Sequence, residues 1–229
     1  MGQYPNDTSV CFLHEIKRSA LLSEQFIYRM RKTLSEGKLD ALDDILDRME
    51  AATSGMLVFI NSTMLAERVH AGTLALNPVL LSLSELVKDS LDLFNIRFKL
   101  SGVTIVSELN DESSLVSVDP AIFPSVVHNL IDNALKYSVR GSVVEVKTWH
   151  ENDSIFLSVK NSGYRINEDE KSKIFTKHYR GENTASISGS GLGLYITKSI
   201  IDDHKGEVSV SSVNGETEFV ISLPCMEQS

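Results

Sequence analysis

The chain has 229 residues, 42% of them hydrophobic and 23% charged, with a formal net charge of -9, which is an ordinary balance for a globular protein. The negative charge, with no run of Lys or Arg, argues against nucleic-acid binding, and no apolar run is long enough to span a membrane. Cys11 and Cys225 form neither a disulfide framework nor a metal-binding spacing, so we expect a reducing, cytoplasmic setting.

Two long helices joined by a short turn at Gly37 are predicted at the N-terminus. Over residues 9–35 and about 40–70, apolar side chains recur every seven residues, in the rows Leu13, Ala20, Ile27, Leu34; Ile16, Met30; Leu42, Met49, Met56; and Ile45, Ala52, Phe59. The pattern indicates an antiparallel helical hairpin. Because two helices bury too little core alone, we expect a homodimer in which two hairpins form a four-helix bundle.

Short strands and helices alternate after residue 73. The pattern predicts helices over 83–94, over 192–204 and from the Asp119-Pro120 N-cap onward, and strands over 103–109, 115–118, 143–149, 155–160, 208–210 and 219–221. Asn214-Gly215 is a strong hairpin turn signal. Helices on one face of a mixed sheet make the fold class α+β, with a hairpin domain over 1–73 and a second domain over 74–229.

The helix after Asp119 carries the most chemically suggestive row of side chains. Phe123, Val126, Val127, Leu130 and Ala134 define a buried face. Beside that face, Asn129, Asn133 and Lys136 repeat at i, i+4 and i+7. Two amide oxygens and an ammonium group in one row suit a magnesium ion that bridges phosphates. A polar stripe that faces water is the alternative for this helix alone.

A glycine-rich segment, Gly189-Ser190-Gly191-Leu192-Gly193-Leu194, opens the helix over 192–204. Glycines let backbone N–H groups approach a phosphate, and the helix dipole favours negative charge there. The segment matches neither a Walker loop nor a dinucleotide fingerprint. Taken by itself, such a segment is more often a flexible hinge than a phosphate site.

Three other places hold residues of interest. Asn161 and Gly163 follow a strand, where side chains often meet ligands, although a simple turn is the alternative. Arg180 lies in the polar stretch 167–188 and is able to bind a phosphate, although a solvated arginine is the plainer interpretation.

His14 and Glu15 lie beside the seam of the first helix. An imidazole next to a carboxylate is a candidate nucleophile with its base, and an inert surface histidine is the alternative.

Taken in order, these segments resemble the cytoplasmic core of bacterial two-component sensor histidine kinases over nearly the whole chain. The matching segments are residues 12–17 (H box), 66–72 (end of the second hairpin helix), 129–138 (N box), 161–166 (G1 box), 174–175 with 179–181 (F box), 189–194 (G2 box), and 204–206 with 215–219 (last two strands).

The resemblance implies an α/β-sandwich ATP-binding domain of the Bergerat type that binds ATP and Mg2+ in residues 74–229. Asn133 would ligate the metal with Asn129 near it, and Lys136 and Arg180 would meet phosphates. The other implied nucleotide contacts are Tyr137, Asn161, Gly163 and the backbone of Gly189, Gly191 and Gly193, under a lid over 167–188.

By the same resemblance, His14 would attack the γ-phosphate with Glu15 as general base or orienting residue. The phosphoryl group would then pass to the aspartate of a response-regulator receiver domain. Because His14 lies near the start of the sequence, we expect any membrane contact only through a missing sensor region.

Three positions depart from the family pattern. Asn161 replaces an aspartate that accepts the adenine amino proton, which would weaken ATP binding by up to about tenfold. Arg165 replaces the second glycine of the G1 box, and Arg18 stands where phosphatase-competent members carry Thr or Asn. These departures leave two rivals: a degenerate phosphotransfer or scaffold protein without ATP turnover, and a serine kinase of the anti-sigma type.

Overall fold

The structure is a computed structural model that describes residues 7–38, 41–110, 115–181, 187 and 189–226, with the side chains of residues 7–16, 18 and 19 outside the description. Two long helices, α1 (Asp7–Ser35) and α2 (Leu42–His70), pack against each other. The turn after α1 places Gly37 at φ +67°, which glycine adopts without strain. The two predicted N-terminal helices are therefore confirmed.

A seven-stranded sheet with five further helices follows the helical pair in the described chain. Its elements are β1 (Val79–Ser82), α3 (Leu83–Asp92), α4 (Asn95–Ser101), β2 (Thr104–Leu109), β3 (Leu115–Val118), α5 (Pro124–Tyr137), β4 (Val143–Glu151), β5 (Ser154–Ser162), α6 (Glu168–Lys171), α7 (Gly193–Asp203), β6 (Glu207–Val213) and β7 (Glu216–Met226).

The sheet is mixed and is organised around the long strand β7. The order is β1-β3-β7-β5-β4-β2, and β6 also pairs with β7. All pairs are antiparallel except β2 with β4. The predicted hairpin between β6 and β7 is confirmed: Asn214 and Gly215 have φ +55° and +82°, the two positive angles that a tight hairpin turn of this kind requires. The α+β fold class is confirmed as well.

The core lies between the sheet and the helices α3, α5 and α7. Along β4, Val144, Val146 and Thr148 are buried, whereas the residues between them are partly or fully exposed. This alternation shows that one face of the sheet carries the helices. The predicted inner face of α5 is confirmed, because Phe123, Val126, Val127, Leu130 and Ala134 are all buried.

The predicted start of α5 is wrong by about one turn. Asp119 does not cap this helix; its Oδ1 accepts from the N–H groups of Ala121 (2.8 Å) and Ile122 (3.2 Å) and so caps a separate turn. The helix begins at Pro124, whose missing N–H costs nothing in the first turn. Burial alone would raise the pKa of Asp119, but the backbone N–H groups of Asn77, Ala121 and Ile122 lower it below its usual value.

Three short elements were not predicted from the sequence, and one predicted helix was too long. The missed elements are β1, α4 and α6. The helix predicted over 83–94 ends at Asp92, and α4 follows after two residues. The four-residue α6 has a capping box in which Asn167 and Glu170 bond reciprocally. Within the described chain, no helix combines the length and apolarity needed to cross a bilayer.

The helical pair is not separate from the second part of the chain. Helix α2 packs against α4, α5 and α7, and its Val58, Leu65 and Ala66 belong to the same hydrophobic core as the helices on the sheet. Ser54 Oγ donates to the carbonyl oxygen of Leu93 (3.1 Å). The face of α2 around Gly55 to Ser62 is thereby placed beside α5. The division into domains 1–73 and 74–229 stays a prediction.

Candidate functional site

A cleft opens between α2, α5, the glycine-rich segment and one end of β5 and β7. Its empty volume is about 1150 Å³, counting the open mouth. The lining residues are Gly55, Val58, Phe59, Ser62, Asn129, Asp132, Asn133, Lys136, Tyr137, Asn161, Tyr164, Ile166, Glu170, Ile174, Tyr179, Arg180, Gly181, Gly189, Ser190, Gly191, Gly193, Leu194, Thr217 and Phe219. The cleft thus brings together nine of the twelve site residues singled out in the sequence.

The row on α5 faces this cleft, as its periodicity indicates. Asn129, Asn133 and Lys136 all line it. Asn129 is 5% exposed, and both ends of its amide are engaged. Ser62 Oγ on α2 donates to Asn129 Oδ1 (2.8 Å), and Asn129 Nδ2 donates to the carbonyl oxygen of Gly193 (3.2 Å). Asn129 therefore ties α2 and the start of α7 to α5.

Asp132 was not singled out in the sequence, yet it organises the cationic side of the cleft. Its carboxylate pairs with Lys136 Nζ (2.5 Å) and with the guanidinium of Arg97 on α4. Burial would raise the pKa of Asp132, but the charges of Lys136 and Arg97 and their hydrogen bonds lower it below the usual value. Asp132 is thus held ionised and holds Lys136 at the cleft wall. The sequence signal was the i, i+4 spacing of Asp132 and Lys136.

The deep end of the cleft is mostly apolar. Ile166, Ile174 and Phe219 line it together with Asn161 and Thr217, which sit opposite each other on β5 and β7. The Thr217 hydroxyl is occupied, because it donates to the carbonyl oxygen of Tyr164 (3.0 Å). Asn161 is 4% exposed, and its Nδ2 has no hydrogen-bond partner among the residues described. A buried amide donor left unpaired beside a cavity indicates a place for a ligand.

Gly163 is not a lining residue, but it fixes the junction between α5 and β5. A Cβ at this position would lie 1.8 Å from the carbonyl oxygen of Tyr137. The close approach lets Tyr164 N–H donate to that oxygen (3.2 Å) and lets Gly163 N–H donate to the carbonyl oxygen of Gly215 (2.9 Å). Gly163 therefore positions Tyr137 and Asn161 without touching the cleft.

The glycine-rich segment reaches the cleft as predicted. Gly191 has φ +69°, and a Cβ there would lie 2.7 Å from backbone atoms of His178 and Tyr179. Because the two backbones lie this close, His178 N–H donates to the carbonyl oxygen of Gly191 (3.0 Å). Helix α7 starts at Gly193, so its first backbone N–H groups and the positive end of its dipole lie at the cleft.

Two residues near the cleft mouth hold its rim rather than its centre. Arg180 lines the cleft but donates a hydrogen bond to the carbonyl oxygen of Ile187. The Tyr179 hydroxyl donates to Glu170 Oε1 (3.2 Å). Burial and then the Glu170 carboxylate raise the pKa of Tyr179 above its usual value. The lid predicted over 167–188 is described except for residues 182–186 and 188.

His14, Glu15 and Arg18 lie on the backbone of α1, and their side chains are outside the described residues. Their predicted roles stay predictions. Lining residues that were not singled out as site residues in the sequence include Ser62, Asp132, Glu170, Thr217 and Phe219. Asp132 had a local signal in its spacing from Lys136, and Glu170 had one in its capping-box spacing from Asn167. The others reach the cleft through contacts distant in sequence.

The two ends of the cleft differ in chemistry. One end offers a lysine, amide oxygens and a helix N-terminus, which together suit an anion such as a phosphate chain. The other end offers an apolar floor and one unpaired amide, which suit a planar heterocycle. The neutral oxygens of Asn133 and Asn129 also fit Mg2+, which takes few protein ligands when phosphates supply the rest.

Comparison with known proteins agrees with this geometry. The family model described as histidine kinase-, DNA gyrase B-, and HSP90-like ATPase matches residues 118–227. The sensor protein RprX of Bacteroides fragilis (strain YCH46) is 32% identical over 152 residues, which cover 64% of this chain and 29% of RprX. The sensor protein GacS of Pseudomonas syringae pv. syringae is 28% identical over 221 residues, which cover 93% of this chain and 22% of GacS. The chain thus spans less than a third of the length of these curated relatives.

A solved structure shares its fold with about two thirds of the chain. The catalytic domain of histidine kinase ThkA superposes with a TM-score of 0.59 at 25% sequence identity. The match covers 65% of this chain and 96% of the ThkA chain.

Proposed function

Since residues 118–227 match the family model of the histidine kinase-, DNA gyrase B- and HSP90-like ATPases and the chain is similar to sensor kinases, we propose that it is an ATP-dependent protein-histidine kinase. The observation that carries the proposal is the cleft itself. It gathers Asn129, Asn133, Lys136 and the glycine-rich segment from separate parts of the chain around one elongated space.

ATP would lie with its base on the floor near Asn161 and its phosphates toward Lys136. Lys136 and the N-terminus of α7 would neutralise phosphate charge, and Asp132 would keep the ammonium group at the wall. Asn133 would hold Mg2+ with Asn129 beside it. When bound, the metal ion neutralises charge on the transferred phosphoryl group. Tyr137 would border the nucleotide, and Gly163 would keep Tyr137 in place.

His14 would receive the γ-phosphoryl group. An imidazole nitrogen forms a bond to the γ-phosphorus, the bond from that phosphorus to the β,γ-bridging oxygen breaks, and ADP leaves. Glu15, the next residue, would take the proton from the imidazole or orient the ring. The phosphoryl group would then pass to an aspartate of a response-regulator receiver domain.

A homodimer and a cytoplasmic location complete the proposal. Large apolar side chains of the helical pair stay exposed, namely Leu21, Ile27, Tyr28, Leu34, Leu46, Leu57 and Met64. Such a surface suits the second copy that a four-helix bundle needs. The hairpin of 1–73 would then be the phosphoacceptor and dimerisation domain, and 74–229 the ATP-binding domain.

Incubation with Mg2+ and γ-labelled ATP tests the function directly. We expect acid-labile, base-stable label on the wild type and a loss to background, more than about a thousandfold, in His14→Gln, because the nucleophile is gone. Asn133→Ala should lose labelling too, because a metal ligand is gone.

His70→Gln is the matched control, since it makes the same change at an exposed histidine at the end of α2, and labelling should persist. Persistent label on His14→Gln, or no label on folded wild type that binds ATP, would contradict the proposal. Acid-stable label on a partner protein would instead favour the serine kinase of the anti-sigma type.

A second prediction concerns the bond between α2 and α5. Ser62 occupies Asn129 Oδ1, an oxygen that lies beside the proposed metal–nucleotide site. Ser62→Ala removes this competitor, which is worth about 0.5–1.5 kcal/mol. We therefore expect Mg-ADP to bind roughly two- to tenfold more tightly, measured by isothermal titration calorimetry.

Ser54→Ala serves as the control, because it removes a similar hydrogen bond from the same helix away from the cleft, to the carbonyl oxygen of Leu93. Its nucleotide affinity should equal that of the wild type. Unchanged or weaker binding by Ser62→Ala would show that the Ser62 bond does not compete with nucleotide.

A further inference from the structure

The floor of the cleft carries one unpaired hydrogen-bonding group. Asn161 is 4% exposed, lines the cleft, and has no partner for its Nδ2 within the part of the chain that the structure describes. A buried donor without a partner costs free energy comparable to a lost hydrogen bond, so a ligand that accepts from it gains that amount.

The groups around Asn161 do not supply the missing partner. Thr217, opposite it on β7, donates to Tyr164 and is within 3.0 Å of Ser212 Oγ. Ile166 and Phe219 present only carbon. A base that enters this end of the cleft therefore meets apolar walls and, on Asn161, a buried amide whose donor has no partner among the described residues.

We propose that the cleft accepts 6-oxopurine nucleotides as well as adenine nucleotides, because Asn161 presents both a donor and an acceptor where an aspartate would present acceptors alone. The inference rests on the proposed function, because it assumes that a nucleotide places its base at this floor. An amide carries both a donor and an acceptor, and a half-turn about its last torsion exchanges them.

The two classes of purine present mirror-image edges to such an amide. Adenine offers the N6 amino group as donor and N1 as acceptor, so Oδ1 accepts from N6 and Nδ2 faces N1. Hypoxanthine and guanine offer O6 as acceptor and N1–H as donor, so Nδ2 donates to O6 and Oδ1 faces N1. The Asn161 amide can therefore satisfy the hydrogen bonds of either edge, using one orientation for each class of purine. An ionised carboxylate only accepts. Held against position six, it pairs with the amino group of adenine and opposes the oxygen of a 6-oxopurine, so its bond to a 6-oxopurine would have to move to N1–H.

Calorimetric titration of the whole chain with Mg-ADP and Mg-IDP tests this inference. The two ligands differ only at position six and in the N1 proton, and neither carries a γ-phosphate, so binding is measured without turnover. We expect the wild type to bind them within about tenfold of each other. In Asn161→Asp, ADP should bind up to about tenfold more tightly, and IDP more than roughly 30-fold more weakly than ADP. Asn161→Leu, which has neither group, should weaken both ligands alike.

The outcomes separate the two proposals. Tight ADP binding by the wild type with IDP weaker by more than about 30-fold overturns the inference and leaves the proposed function standing. Failure of folded wild-type protein to bind either ligand overturns both. If Asn161→Asp does not fold, as judged by thermal melting, the ratio of the two affinities in the wild type and in Asn161→Leu decides the matter.

Discussion

Gly163→Ala is expected to lower the free energy of unfolding by roughly 3 kcal/mol and to abolish nucleotide binding. The new Cβ would lie 1.8 Å from the carbonyl oxygen of Tyr137 and 2.9 Å from its carbonyl carbon. Both of these are backbone atoms, so no rotamer change relieves the overlap. The end of α5 and the end of β5 must separate, and the hydrogen bond from Tyr164 N–H to Tyr137 is lost.

The substitution should also disturb the cleft, because α5 and β5, which line it from two sides, meet at this junction. Tyr137 ends α5, and Asn161 lies two residues before Gly163 on β5. Thermal unfolding followed by circular dichroism should show a melting temperature lower by about 10 °C for a chain of this size. Titration with Mg-ADP should show no binding.

Gly55→Ala is the matched control for stability. Gly55 lies in the interior of α2, its added Cβ would have no neighbour within 4 Å, and its φ is not positive. Alanine in a helix is favoured over glycine by roughly 0.5–1 kcal/mol, so this variant should melt no lower than the wild type. Equal melting temperatures for Gly163→Ala and the wild type would contradict the steric argument.

The face of α5 and the position of its polar row could be predicted because helical periodicity reports burial directly. Asn129 and Asn133 border the buried face in the sequence pattern, and they border the core in the structure. The hairpin between β6 and β7 was predictable for a related reason: Asn214-Gly215 adopts the two positive φ angles that its residue types favour. In both cases, residues close together in the sequence determine the structure.

Contacts between distant segments were beyond prediction. Ser62 meets Asn129 across 67 residues, and Arg97 meets Asp132 across 35. No periodicity within α2 or α4 signals such partners. The misplaced start of α5 has a local cause, because Asp119-Pro120 and Pro124 both suit a helix start. In the structure Asp119 caps the turn before α5 through Ala121 and Ile122 and also accepts from Asn77, which is distant in sequence. Elements of four residues, such as β1 and α6, are too short to show a period.

Asp132→Ala is expected to destabilise the chain by about 3–5 kcal/mol, because it leaves a buried cation without its counter-charge. The Asp132 and Arg97 side chains are each 13% exposed, Arg97 Nη2 donates to Asp132, and Arg97 Nη1 has no hydrogen-bond partner among the described residues. Lys136 loses its 2.5 Å partner at the same time. Urea denaturation at pH 7 measures the loss.

Asp47→Ala is the matched control, because Asp47 pairs with Lys99 at 2.6 Å but Lys99 is 66% exposed. Surface ion pairs contribute little, so this variant should unfold close to the wild type. If the two substitutions lowered stability equally, burial would not be the reason for the loss at Asp132.

The pH dependence of stability gives an independent check on the same pair. The pKa of Asp132 is lower in the folded chain than in the unfolded chain, where it is about 3.9. The stabilisation is therefore fully present above about pH 4 and is lost as the pH falls through the folded pKa. Asp132→Asn removes this titration, so its melting temperature should fall less between pH 5 and pH 3 than that of the wild type.

The double variant Arg97→Met with Asp132→Leu tests where the loss of stability in Asp132→Ala comes from. Either the ion pair itself stabilises the fold, or the loss arises only because Arg97 is left buried without its counter-charge. Replacing both charges by apolar groups removes the desolvation cost together with the attraction, so its stability should return to near that of the wild type. Its nucleotide affinity should not return, because Lys136 still lacks the carboxylate that holds it at the cleft wall. Recovery of stability without recovery of Mg-ADP binding would assign Asp132 a positioning role, whereas recovery of both would leave it a purely structural one.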